Sequence, residues 1–142
     1  MRNLPIGIQS FSDLRTNSND YLYVDKTQHI YNMINGGKIF FLSRPRRFGK
    51  SLLVSAMNEL FNGSKSLFEG LYIYDKWDWS KKNPVIRIDF SMRTNDTKQQ
   101  LENSLSYFLD STAANNGLKL EAIELADKFG ELITKLHTST NE

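Results

Sequence analysis

No cysteine occurs anywhere in the 142 residues, and that absence removes disulfides, thiolate metal sites and cysteine nucleophiles together. Histidine occurs only as His29 and His137, too far apart in sequence to form a protein metal site at the usual short spacing. No apolar run approaches the length of a membrane span, and residues 1–10 lack the apolar region of an export signal, so the chain is expected in the cytoplasm. An excess of charge of one sign is also lacking: the net value is +2, too small for a general nucleic-acid binder. There is no internal repeat and no low-complexity segment. What remains, 39% hydrophobic and 24% charged, is the composition of a globular chain, long enough for one domain of ordinary size.

The informative stretch is residues 38–53. Ile39, Phe40, Phe41 and Leu42 form a continuous apolar run, the pattern of a strand buried on both faces. Leu52, Leu53, Ala56, Met57 and Leu60 then recur at helical spacing. Between them, Gly49-Lys50-Ser51 is the second half of the phosphate-loop pattern G-x-x-x-x-G-K-[ST]. A polyphosphate needs many donors and little bulk. Backbone N–H groups at a helix start supply the donors, and the helix dipole favours negative charge there. Gly49 permits close backbone approach. Lys50 is a point charge for the β- and γ-phosphates and the candidate catalytic residue. The Ser51 hydroxyl is the candidate ligand of Mg²⁺, which keeps several waters and shares the phosphates.

The first half of the pattern is absent. Arg44 stands where the first glycine belongs, and Pro45 removes a backbone donor. Alone, Gly-Lys-Ser also fits a surface turn that starts a helix. The strand before it, the helix after it and the arginines between favour a nucleotide. The candidate binding residues are Arg44, Pro45, Arg46, Arg47, Phe48, Gly49, Lys50, Ser51 and Leu52. Four cations in seven residues suit a polyanion: ATP first, a nucleic-acid backbone second.

Taken in order, residues 1–20 read as irregular, with Phe11 available to the core. Residues 21–24 have strand composition. Asp25 and Gln28 have capping-box spacing before a helix that presents Thr27, Ile30, Tyr31 and Ile34 on one side and stops at Asn35-Gly36-Gly37. The helix after the loop is predicted from Lys50 to Phe61. One helical turn is predicted over 66–70, and an extended segment over 71–74. The aromatic-charged alternation of 75–79 fits partner anchoring, but is read by default as rings over a core edge. Residues 85–90 read as a second strand; Asp89 suits a metal or nucleotide at a sheet edge, though a carboxylate paired within the protein is the plainer reading. Helices are predicted over 94–114, with Leu101, Leu105, Phe108 and Leu109 inward, and over 121–137, with Ala122, Ala126, Phe129, Ile133 and Leu136 inward. Strands separated by helices predict an α/β fold, an incomplete P-loop sheet flanked by helices.

Four blocks carry a resemblance: Tyr23-Val24-Asp25-Lys26-Thr27, the stretch from Phe41 through Ser43-Arg44-Pro45-Arg46-Arg47-Phe48-Gly49-Lys50-Ser51 to Leu52, Leu71 to Trp79, and Val85 to Ser91. Over nearly the whole chain they resemble the bacterial AAA-ATPase-like proteins, in which a nucleotide-binding N-terminal domain is often followed by a PD-(D/E)XK nuclease-like domain. Arginine at the first-glycine position is usual there, so Arg44 is no obstacle. The resemblance implies ATP and Mg²⁺ as ligands. It implies too that residues 1–142 correspond to the N-terminal part of that domain, short of the strand ending in Asp-Glu that holds the metal and polarises water. The expectation is ATP binding without hydrolysis by this chain, low stability and self-association. The alternatives are a module that contacts nucleic-acid phosphates through the arginine loop, and an inert remnant or interaction fragment.

Overall fold

A computed structural model describes residues 3–16, 21–90 and 96–140. It divides into two compact units, Met1–Asn83 and Pro84–Glu142.

The first unit holds α1 (Phe11–Arg15), α2 (Thr27–Gly36), α3 (Lys50–Phe61) and a 3-10 turn over Lys65–Phe68. Its core is Phe11, Ile30, Ala56, Leu60, Phe68 and Ile73. The predicted inward positions of α2 and α3 are those that pack: Thr27 and Ile30 are buried, Tyr31 and Ile34 lie against the core, and Leu52, Leu53 and Met57 flank Ala56 and Leu60. Phe11 sits at the centre, its ring 4.8 Å from Phe68 and 5.5 Å from Tyr23, and its N–H donates to Ser55 Oγ at 2.9 Å. Arg15 donates to the carbonyls of Leu67 (2.8 Å) and Glu69 (2.6 Å), which ties α1 to the 3-10 turn. The rings of Tyr74, Trp77 and Trp79 pack on the core edge, and Trp79 Nε1 donates to the Tyr74 carbonyl at 2.7 Å. The default reading of that aromatic stretch is the observed one.

The second unit is a helical pair, α4 (Lys98–Asn115) and α5 (Leu125–Thr140), closed on Leu109, Ala113, Leu132 and Leu136, with Ile86, Phe108, Leu118, Leu120 and Leu125 packed around them. A full capping box starts α4: Thr97 accepts from Gln100 N–H, and the Gln100 side chain returns to Thr97 N–H. The predicted start at Thr94 lies outside the described residues. Lys128 joins the helices, at 2.6 Å from Asp110 and 3.0 Å from Ser106.

The α/β expectation is overturned. Among the described residues there is no strand and no sheet; the sole β feature is an isolated parallel bridge between Asn3 and Tyr21. A helix satisfies its backbone locally, whereas a strand needs a second backbone to complete its hydrogen bonds. Residues 39–42 and 85–90 have the side chains of strands but no ladder. Ile39 and Phe41, expected at the heart of a sheet, are 93% and 94% exposed. Residues 71–74 form successive turns, with Tyr74 N–H on the Leu71 carbonyl at 3.0 Å.

Two helix boundaries also move. Asp25 is not the cap of α2. Lys26 takes that position without a side-chain bond, and Gly37 is extended rather than left-handed. The predicted inward face of the last helix is rotated. Leu132 and Leu136 are buried, while Phe129 and Ile133 are exposed and Ala122 precedes the helix. The start of the helix also moves, to Leu125: the Glu131 carboxylate accepts from the N–H groups of Glu121 (3.0 Å) and Ala122 (2.9 Å), holding that stretch off the helix.

Candidate functional site

The loop of residues 43–49 leads directly into α3, whose first residue is Lys50. Gly49 makes the join, with φ 78° and ψ 18° in the left-handed region where glycine carries no Cβ penalty. A Cβ there would meet nothing within 4 Å, so conformation and not crowding asks for glycine. Arg47 is also left-handed, at φ 65°, which for a side-chain-bearing residue costs about 1–2 kcal/mol.

The start of α3 is left open. The first N–H groups of any helix lack internal partners. In α1 the Ser10 hydroxyl accepts from Asp13 N–H, in α4 Thr97 does the same for Gln100, and Asp25 Oδ1 accepts from Thr27 N–H of α2 at 2.8 Å. No side chain caps α3. Its N–H groups at Lys50, Ser51 and Leu52 are the donors that a ligand oxygen can take, at the positive end of the helix dipole.

Lys50 bends back over the loop and its ammonium donates to two carbonyls, Arg44 and Pro45, the latter at 2.9 Å. The candidate lysine therefore sits at the mouth of the loop, holding its two ends together. Nothing in the motif spacing announces this contact. The side chains of Arg44, Arg46, Arg47 and Phe48 are exposed. Ser51 is exposed at the second position of α3. A magnesium ion fits such a donor set if most of its ligands are phosphate oxygens and waters, since the described residues contain no group of three His, Cys, Asp or Glu side chains that could hold a metal. Asp89, the other candidate, belongs to the second unit and has an interaction of its own.

A second polar constellation went unnoticed in the sequence. Asp25 Oδ1 accepts from the Thr27 hydroxyl at 2.7 Å, Asp25 Oδ2 from Tyr72 N–H at 2.7 Å, and Thr27 Oγ1 from Ile73 N–H at 3.2 Å. Burial pushes the Asp25 carboxyl up. The N–H groups of Tyr72 and Thr27, the Thr27 hydroxyl and the charge of Arg15 outweigh that and hold it below its usual range. Every acceptor here is already used within the fold, so the knot is structural: it pins the start of α2 to the turns at 71–74.

Residues 5–142 match the family model described as predicted AAA-ATPase, and the chain belongs to that AAA-ATPase-like family. It is 43% identical, over 99% of its own length, to an uncharacterised protein encoded in the 5′ region of vnfD in Azotobacter chroococcum mcd 1. The chain spans 27% of that relative's length. No solved structure matches the chain. No helix among the described residues is long and apolar enough to cross a membrane.

Proposed function

We propose that residues 44–52 bind ATP together with Mg²⁺. The observation that carries this reading is the uncapped start of α3 immediately behind left-handed Gly49, with the Lys50 ammonium at the loop mouth, in a chain of the AAA-ATPase-like family. The N–H groups of Lys50, Ser51 and Leu52 face phosphate oxygens, and the helix dipole adds to their pull. Lys50 exchanges its contacts with the carbonyls of Arg44 and Pro45 for the β- and γ-phosphates, and Arg44 remains beside it as a further cation. Ser51 would supply a protein hydroxyl to a magnesium ion whose remaining ligands would be phosphate oxygens and waters. Bound magnesium neutralises phosphate charge that the loop would otherwise meet alone.

Titration of the purified chain with a fluorescent ATP analogue in the presence of Mg²⁺ tests this. Saturable binding is expected, lost in Lys50→Ala with the far-UV circular dichroism unchanged. Ser51→Ala is expected to lose the magnesium dependence while keeping weak metal-free binding. Identical curves for Lys50→Ala and the parent would overturn the proposal.

A further inference from the structure

Residues 38–58 carry Lys38, Arg44, Arg46, Arg47 and Lys50 and no Asp or Glu, in a chain whose net charge is +2, so the rest of the molecule is net acidic. Nucleotide binding uses only part of this charge, because magnesium cancels much of a triphosphate's own and Lys50 with the α3 N–H groups meets the remainder. Within that loop, Arg46 and Arg47 are the two cations to which the proposed nucleotide reading assigns no phosphate. Both are exposed, and among the described residues neither has an ion-pair or hydrogen-bond partner for its side chain. The contrast is Arg15, whose guanidinium is spent on two carbonyls and lies 5.9 Å from the Tyr23 ring centroid. The left-handed φ of 65° at Arg47 would suit glycine, and the residue there is a cation. Next to it Phe48 holds its ring 63% exposed, directly beside the two arginines in sequence.

We propose that Arg46, Arg47 and Phe48 form a contact site for a single-stranded nucleic acid, phosphates on the two guanidinium groups and a base on the ring. Arginine forks match phosphate oxygens in pairs. An aromatic ring flanked by cations is the element on which unpaired bases stack without regard to sequence. An acidic peptide would satisfy the arginines but leave the Phe48 ring in water, and a duplex keeps its bases inside the helix, out of the ring's reach. The site is therefore single-stranded, and its recognition is by charge and stacking.

Fluorescence anisotropy of the full 142-residue chain with labelled oligothymidylate and oligouridylate, without nucleotide, tests this independently of ATP binding. Both oligomers are expected to bind, and the tighter one identifies the sugar. The double substitution Arg46→Gln/Arg47→Gln is expected to weaken binding at least tenfold and to flatten the slope of log K against log salt by about 1.4, from roughly 0.7 per single-strand phosphate contact. Phe48→Ala is expected to weaken binding at least fivefold, the low end of roughly 1–3 kcal/mol per stacked base, with the salt slope unchanged. Circular dichroism identifies any variant that unfolds; Arg46→Lys/Arg47→Lys, which keeps the charge, retains the salt slope. Poly-glutamate in excess leaves the complex intact. Unchanged affinity in Phe48→Ala, an unchanged salt slope in the arginine double variant, or equal displacement by poly-glutamate would overturn the proposal.

Discussion

Thr27 is a polar side chain with no exposure at all, and its hydroxyl both donates to Asp25 and accepts from Ile73 N–H. Thr27→Val keeps the volume but strands the Ile73 N–H, while Asp25 Oδ1 keeps its bond from the Thr27 backbone N–H. Leaving a buried donor unmet costs about 1–3 kcal/mol, so the melting temperature of the first unit is expected to fall by several degrees while helix content is retained. Asp25 adds a pH dependence. Its folded carboxyl is held below the usual value of 3.8, so its contribution to stability is complete above that value and is lost as pH falls through the folded one. The urea midpoint of the parent should drop through this window below pH 3.8, and Asp25→Asn should lose that share of the pH dependence. An Asp25→Asn variant as steeply acid-sensitive as the parent would contradict the assignment. The partners of Asp25 and Thr27 in the turns at 71–74 lie more than forty positions away in the sequence. Capping-box spacing pointed to a local partner instead.

Of the helices, whose backbone bonds are local, α2, α3 and α4 were legible, whereas the five-residue α1 lies in the stretch read as irregular. The boundary at Lys50, the length of α3 and the inward faces of α2 and α3 all follow from period and from the Gly-Lys junction. Leu60, fully buried on α3, is the test of that face: Leu60→Ala is expected to cost about 2–5 kcal/mol by leaving a cavity, read from denaturant unfolding. Strands were not legible, because an apolar run reports that side chains seek burial and says nothing of where a second backbone is. The start of α5 differs from the predicted one for another reason, a single carboxylate acting across ten residues. Hydrogen bonding from Lys135, then from Ala122 N–H, holds Glu131 at about 2 against the opposing effect of burial, with Glu121 N–H and the Lys135 charge adding to the pull. Its contribution is present above the usual 4.5 and lost as pH falls through about 2. Glu131→Gln should lower the melting temperature at pH 7 and converge with the parent near pH 2. Convergence already at pH 4 would count against this role.

At the scale of the molecule, the first unit exposes Ile39, Phe40, Phe41 and Phe48 close together in sequence. Extended apolar backbone without a partner recruits other chains. Size-exclusion chromatography of the 142-residue chain is expected to show concentration-dependent self-association, and Ile39→Asp/Phe41→Asp to shift elution toward the monomer. A parent that elutes as a monomer at every concentration would refute it. The loop beside this segment depends on none of that association, since its parts lie within a few residues of Gly49 and on α3 itself. Amide hydrogen exchange with and without Mg·ATP is the most direct test of the central claim. Protection is predicted to rise at the N–H groups of 48–53 and to be absent in Lys50→Ala. Protection elsewhere with none at the start of α3, or equal protection in the lysine variant, would contradict a nucleotide site at this loop.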